Sequence, residues 1–272
     1  MATLARRLGS TQHSDLLSGT PRAHPIDRWI YVFTAALFVL IILTGFIPDS
    51  VEKIAAVQAG QRPPFPIVLH MHAVLMASFM VLLLTQTILM ATGRCNLHVQ
   101  VGLAAFVITP LLVLVGFVLA PTMYHQTADA LRTAVTPEAR GRLQQLLLHK
   151  DNILLLQIRI GILFPLFLAL GLWARKVDAG LHKRMMLLAS AIPLSAGIDR
   201  IDWLPMTATP IASDLYILAA VSPMFLWDVL RNRRVHRAYL MWIALYVPAS
   251  ILVFSLWDTP WWHSTAHSLM DV

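Results

Sequence analysis

Uncharged apolar runs of about twenty residues, the length that crosses ~30 Å of hydrocarbon, recur along the chain and predict its elements. Four are clean. Trp29 to Pro48 lies between Arg28 and Asp49, and Ile67 to Thr92 lies inside the uncharged stretch from Arg62 to Arg94. Val99 to Ala120 follows, and Ala238 to Trp257 is bounded by Arg237 and Asp258. Asn152 to Ala174 is long enough for a span but carries Arg159. Two further runs are too short unless each takes an acidic end into the membrane. That extension gives Met185 to Leu204, ending on Asp199, Arg200 and Asp202, and Pro210 to Leu230, holding Asp214 and Asp228. The alternative for both is a re-entrant or interfacial segment.

The pattern thus predicts an all-α polytopic transmembrane bundle of seven spans, at about 29–48, 67–92, 99–120, 152–174, 185–204, 210–230 and 238–257. An arm (1–28) precedes the membrane domain (29–257), and a polar tail (258–272) follows it. The long connection from Pro121 to Asp151 holds Thr136-Pro137-Glu138, a cap, a first-position proline and a first-turn acid that together start a helix. Leu143, Leu146 and Leu147 then share one face, which suggests an amphipathic helix on the membrane surface.

Composition agrees. Hydrophobic residues are 57% and charged residues 13% of the 272 residues, where soluble domains carry about 25% charged residues. The formal net charge is +7. Because the basic residues sit in short loops beside apolar spans, they set topology and meet lipid head groups, and a nucleic-acid partner is not expected. With the N-terminus inside, inner segments hold 13 Lys and Arg and outer segments 7, leaving out Arg159. Seven spans then place the C-terminus outside, where Trp257, Trp261 and Trp262 form an aromatic belt. Arg6-Arg7 has no adjacent apolar core, so no cleavable export signal is expected and the arm is read as cytoplasmic. Cys95 is the single cysteine, which excludes an internal disulfide and Cys-based zinc sites.

Ionisable groups inside spans are costly and need partners or a water-filled site. Arg159, Asp199, Arg200 and Asp214 fall in one leaflet, the outer one, and suggest a polar pocket in which Arg159 pairs with Asp199 or Asp214. The pocket is either a structural lock or a binding site. The histidines form a second pattern. His72 (sharing a helical face with Gln86) and His149 lie outside, on spans two and four. His98 and His182 lie inside, starting spans three and five. One histidine pair per leaflet across a four-helix core suits bis-histidine haem, with Arg94, Lys183 and Arg184 inside, and Arg159 or Arg200 outside, available for propionates. A divalent metal held by His72, His149, Asp199 and Asp214 is a further alternative. His263 and His267 share a helical face but lie in the tail.

The stretch L-H-M-H at Leu69 to His72, then Gln86, then G-R-x-x-L-H-x-x-x-G-L from Gly93 to Leu103, then L-H-K-R-M-M-L-L-A from Leu181 to Ala189, resembles a group of uncharacterised bacterial multipass membrane proteins. The group carries basic residues directly after the third-span histidine, where this chain has Val99 and Gln100. The resemblance implies a bacterial inner membrane. The histidine layout is also similar to that of transmembrane b-type cytochromes, which implies haem b. The expected function is a redox or cofactor-binding membrane protein. The alternatives are a proton-coupled small-molecule carrier and a membrane-embedded metallohydrolase.

Overall fold

In the computed structural model the described residues are Asp15, Leu17, 20–205 and 209–272. Arg6 and Arg7 lie outside them. The described chain is helical, with no strand. Its helices are α1 (Pro25–Gln58), α2 (Ile67–Ala91), α3 (Cys95–Gly102), α4 (Ala105–Arg132), α5 (Pro137–Ala174) and α6 (Ala179–Ala191). After a 3₁₀ turn, Ile192–Leu194, come α7 (Ser195–Ile198), α8 (Pro210–Asn232), α9 (Arg237–Leu256) and α10 (Pro260–Met270). Six stretches are long and apolar enough to cross a membrane: α1, α2, α3 with α4, α5, α8 and α9.

The starts follow ordinary capping chemistry. Thr136 Oγ1 accepts from Ala139 N (3.2 Å) with Pro137 at the first position, and Thr209 caps α8 in the same way. Prolines inside α1, α2's partner α4, α5, α8 and α9 leave those helices continuous. Pro193 does not: α6 ends at Ala191 and tightens into the 3₁₀ turn. The fifth predicted span is therefore two short helices and a turn rather than one rod. Three other boundaries also differ from the pattern. α1 runs ten residues past Pro48, with the Asp49–Lys53 ion pair (2.6 Å) on its exposed last turns. The amphipathic segment after Thr136 is the first part of α5, without a break before the apolar run. The tail forms α10, which packs on α5.

α6 occupies the middle. It touches α1, α5, α8 and α9, and Leu181, Met185, Leu187, Leu188, Ala189 and Ala191 are all buried. A segment wrapped by protein need not be apolar along a full bilayer width, because its polar groups find partners inside the bundle. This is why its uncharged run is so short. The surrounding helices instead turn large apolar side chains outward, among them Phe33, Leu40, Val74, Val81, Leu114, Leu240 and Leu252. Such a surface is consistent with contact with a lipid bilayer.

The two ends of α6–α7 are pinned to the two ends of α8. At one end, here the near end, Arg184 bonds Asp228 in the last turns of α8. At the far end the Ser213 hydroxyl, in the first turn of α8, donates to Asp199. Asp15 and Leu17 are packed at the near end rather than solvated: Arg184 bonds Asp15 and Leu17 has no exposed surface. Asp27 is also buried there, accepting from Trp227 Nε1 (2.7 Å) and Arg231 (2.9 Å).

At the far end α1 and α7 meet backbone to backbone. A Cβ at Gly45 would stand 2.8 Å from the Gly197 carbonyl carbon and 3.1 Å from its Cα. No rotamer relieves a clash with backbone. Gly45→Ala is expected to lower stability by about 1–3 kcal/mol or more. Gly141→Ala, placed in open space on α5, should raise it by about 0.5–1 kcal/mol. Melting curves of the two variants check this, and equal effects would contradict the close approach.

His236 caps α9 through Nδ1, which accepts from Ala238 N (3.1 Å), so the cap requires an unprotonated ring. Burial, with the Arg184 guanidinium nearby, pushes its pKa down from 6.5 to about 4. The folded protein thus binds fewer protons than the unfolded chain between these values. The stabilisation is fully present above pH 6.5 and is lost as pH falls towards 4. His236→Asn keeps a cap without the titration. Between pH 7 and 4.5 it should lose less Tm than the parent; parallel Tm profiles would count against the cap.

Candidate functional site: a histidine pair over a cavity

The near end of the bundle holds a cavity of about 610 Å³ between α2, α3 and the α5–α6 junction, within the usual size of ligand sites. His98 enters it from the fourth residue of α3 and His182 from the fourth residue of α6. Their ring centres are 6.4 Å apart and the ring planes cross at 78°. His182 Nδ1 lies 2.8 Å from the Gly171 carbonyl oxygen and His98 Nδ1 lies 3.3 Å from that of Gln86. A carbonyl only accepts, so His182 Nδ1 carries the proton and its Nε2 keeps a lone pair; His98 Nδ1 faces both the Gln86 carbonyl and the Gln86 side-chain nitrogen (2.5 Å). Among the described residues neither Nε2 has a hydrogen-bond partner.

The separation of the two ring centres is one at which both imidazoles could meet one ion. With metal–nitrogen bonds of about 2.0–2.1 Å and each nitrogen about 1.1 Å from its ring centre, imidazoles on opposite sides of a metal lie about 6.2–6.4 Å apart. The carbonyl on the second nitrogen is the usual means of fixing tautomer and ring orientation. The lining is mostly apolar, with Phe79, Leu82, Leu83, Leu172 and Leu187, and also holds the cations Arg28, Arg175, Lys176 and Lys183. The residues present therefore fit a large, flat, mostly apolar group that carries acidic substituents at one edge.

Gln86 shapes this site. With its nitrogen towards the His98 carbonyl (3.0 Å) and its oxygen towards the Gly102 amide (2.9 Å), its carboxamide reaches the two groups a regular helix joins to each other. A side chain inserted into the ladder bends the helix, and α3 gives way to α4 just beyond, through i→i−3 bonds at Leu103, Ala104 and Phe106.

The propionate partners read from sequence change. Arg184 lies away from the cavity, bound by Asp15 and Asp228. Lys183 lines the cavity but also pairs with Asp15 (2.7 Å). Arg94 is exposed and off the cavity wall, and Arg28 and Lys176 stand there instead. Arg28 could not be singled out because it reads as the flank of the first span.

The outer pair is not assembled. His72 is half-buried beside Gly116 of α4, its Nδ1 sealed from solvent without a partner. His149 is exposed on α5, and among the described residues the two rings make no contact. No three His, Cys, Asp or Glu side chains among the described residues converge on a point that could hold a metal. The set His72, His149, Asp199 and Asp214 is therefore dispersed.

Of the expected polar pocket, Arg159 and Asp214 come together and Arg200 goes elsewhere. Arg159, with a side chain 2% exposed, makes two bonds of 2.8 Å to Asp214 and one of 2.8 Å to Ser250. Tyr246 donates to Asp214 (2.6 Å) and is stacked between the Arg159 guanidinium and Trp242. Asp199 accepts from Ser213, and Arg200 turns to Asp49. The tail histidines, read as solvated, meet a buried acid. Asp151 accepts from Tyr124 (2.5 Å) and lies 2.8 Å from His263 Nδ1. The signal was present in the i, i+4 spacing of His263 and His267, but Asp151 reads as a loop boundary.

Removing one partner of a buried pair costs about 3–5 kcal/mol, whereas removing both is often near neutral. Arg159→Leu should therefore destabilise strongly, and Arg159→Leu with Asp214→Asn should recover much of the loss. Thermal melting of the two singles and the double checks this, and strictly additive losses would show that the pair is not coupled.

No family model matches the chain, and no curated protein and no solved structure is significantly similar to it.

Proposed function

We propose that this chain is a b-type haem protein of the membrane, with His98 and His182 as the residues that would hold the haem. The observation that carries the reading is the pair itself: ring centres 6.4 Å apart, His182 Nδ1 on the Gly171 carbonyl, at a cavity of about 610 Å³. Haem held there would supply one-electron transfer. The Gly171 carbonyl would hold the His182 ring in the ligating tautomer, and Gln86 would orient the His98 ring. Phe79, Leu82 and Leu187 exclude water from the macrocycle. Arg28, Arg175 and Lys176 meet its carboxylates at the rim. The carrier reading finds less support, because Arg159 is engaged by Asp214 and Ser250 in the manner of a helix lock.

The same reading includes topology. Arg184–Asp228 at one end and Asp199–Ser213 at the other make α6–α7 as long as α8, which supports a seventh crossing by the broken segment. The excess of Lys and Arg in the connections at the near end supports an inside N-terminus and an outside C-terminus, so the haem lies towards the inner face. The resemblance to bacterial multipass proteins makes a bacterial inner membrane the proposed setting.

An absorption spectrum tests the assignment. The protein purified in detergent from haem-replete cells should show a reduced-minus-oxidised Soret and α-band. His98→Ala and His182→Ala should each abolish it while the protein still inserts, and His72→Ala and His149→Ala should retain it. No α-band in the parent, or an unchanged spectrum in both inner variants, would refute the assignment.

A further inference from the structure

The two histidines of the cavity are not equivalent. His182 Nδ1 faces the Gly171 carbonyl oxygen at 2.8 Å, and an oxygen that only accepts keeps the ring proton on Nδ1. His98 Nδ1 stands between two groups with opposite demands. The Gln86 backbone carbonyl, 3.3 Å away, calls for a proton. The Gln86 side-chain nitrogen, 2.5 Å away, offers one.

The carboxamide is not free to turn round. Its oxygen accepts from the Gly102 amide (2.9 Å) and its nitrogen donates to the His98 carbonyl (3.0 Å). Reversed, it would set oxygen against oxygen and N–H against N–H. A carboxamide nitrogen carries two hydrogens. One goes to the His98 carbonyl, and the other is left for His98 Nδ1. A proton on Nδ1 would oppose it, and the carboxamide is much the closer of the two neighbours. The neutral His98 ring therefore accepts at Nδ1 and carries its proton on Nε2, the opposite tautomer from His182.

We infer that Gln86 is a positioning residue that makes the histidine pair unequal: it holds His98 with Nε2 protonated, so that of the two rings His182 alone offers an Nε2 lone pair, and His98 offers one only when Gln86 gives way. What this means for a cofactor rests on the haem assignment; the tautomers do not. With haem, His182 is the standing ligand. His98 holds its place at the expense of a hydrogen bond, so a small neutral molecule with its own lone pair can compete for that place among the apolar side chains Phe79, Leu82 and Leu83.

Histidine-selective 15N NMR of the full chain in detergent, without haem and at a pH where both rings are neutral, reads the tautomers directly. The parent should show Nδ1–H for His182 and Nε2–H for His98, with signals assigned from His182→Gln and His98→Gln. Gln86→Met removes the carboxamide and leaves the Gln86 backbone carbonyl beside Nδ1, so the His98 proton should move to Nδ1. The Gly102 amide and His98 carbonyl can then close the regular helix bond on each other, so the variant should fold. The same tautomer on both rings of the parent, or a His98 signal unchanged in Gln86→Met, would overturn the inference. Carbon monoxide added to the reduced, haem-loaded protein supplies a second readout. Its affinity, read from the Soret shift, should fall about tenfold in Gln86→Met, the weight of one ordinary hydrogen bond. Equal affinities would count against Gln86 as the residue that weakens His98. A parent without haem bands refutes the haem assignment instead, and the NMR tautomers then decide the inference.

Discussion

A guanidinium with no exposed surface at the end of an apolar bundle is tolerable only if all of its donors are met. Arg184 satisfies this condition fully. Its five N–H groups reach Asp228, Asp15 and the Gly180 carbonyl, which is the complete donor set of an arginine. The acids come from both sides in sequence, one from the segment before α1 and one from α8. Asp15 is held charged in return: the cations Arg184 and Lys183 hold it well below the ordinary carboxylate range, against the opposing effect of its own burial. Such a network adds little net stability over an apolar replacement, but it is severe on any misplacement of its members. It fixes the rotation of α6. Residues two apart on a helix point about 200° apart, so seating Arg184 against α8 turns His182 to the opposite side, towards α3 and the cavity.

The polar load of the bundle is divided by this arrangement. At the near end the charges are consumed in structural pairs, Arg184 with Asp15 and Asp228, and Arg231 with Asp27, while the histidines beside them remain free to act. Deeper towards the far end Arg159 and Asp214 close on each other and on Ser250 and Tyr246, joining α5, α8 and α9. Pairing inside a low-dielectric bundle locks helices, whereas an imidazole without a carboxylate partner keeps its lone pair. The contrast explains why the buried arginines read as scaffold and the histidine pair as chemistry.

Much of this was legible from spacing, and the rest was not for identifiable reasons. Apolar runs mark the long helices because those helices face lipid on one side. The same rule fails for residues 185–204, since a central helix is selected for packing and not for lipid contact. It also cannot foresee that Pro193 would break its helix when Pro48, Pro110, Pro165, Pro223 and Pro248 do not. That depends on whether neighbours accommodate the freed carbonyl. Arg159 with Asp214 could be narrowed to two acids from depth alone. The choice between them needed three dimensions, as did the diversion of Arg200 to Asp49, which lies 151 residues away. The docking of the tail escaped notice because the acid that receives it, Asp151, sits at the edge of a charged loop.

The inequality of the two histidine pairs has a backbone origin. On α2, His72 and Gln86 are fourteen residues apart on one face, and each sits against a glycine of the neighbouring antiparallel helix. His72 lies beside Gly116, and Gln86 beside Gly102, also fourteen residues apart. The two positions are equivalent in packing but not in hydrogen bonding. Near Gly102 the helix is bent, and its backbone groups at His98 and Gly102 are available to a carboxamide. Gly116 lies within the continuous helix α4, with no carboxamide at this level, and His72 Nδ1 is left unmet. A polar face on α2 therefore becomes useful only where its partner helix gives up regular geometry. That happens at the near end, one turn from His98, and it is there that the ring is oriented and the cavity opens.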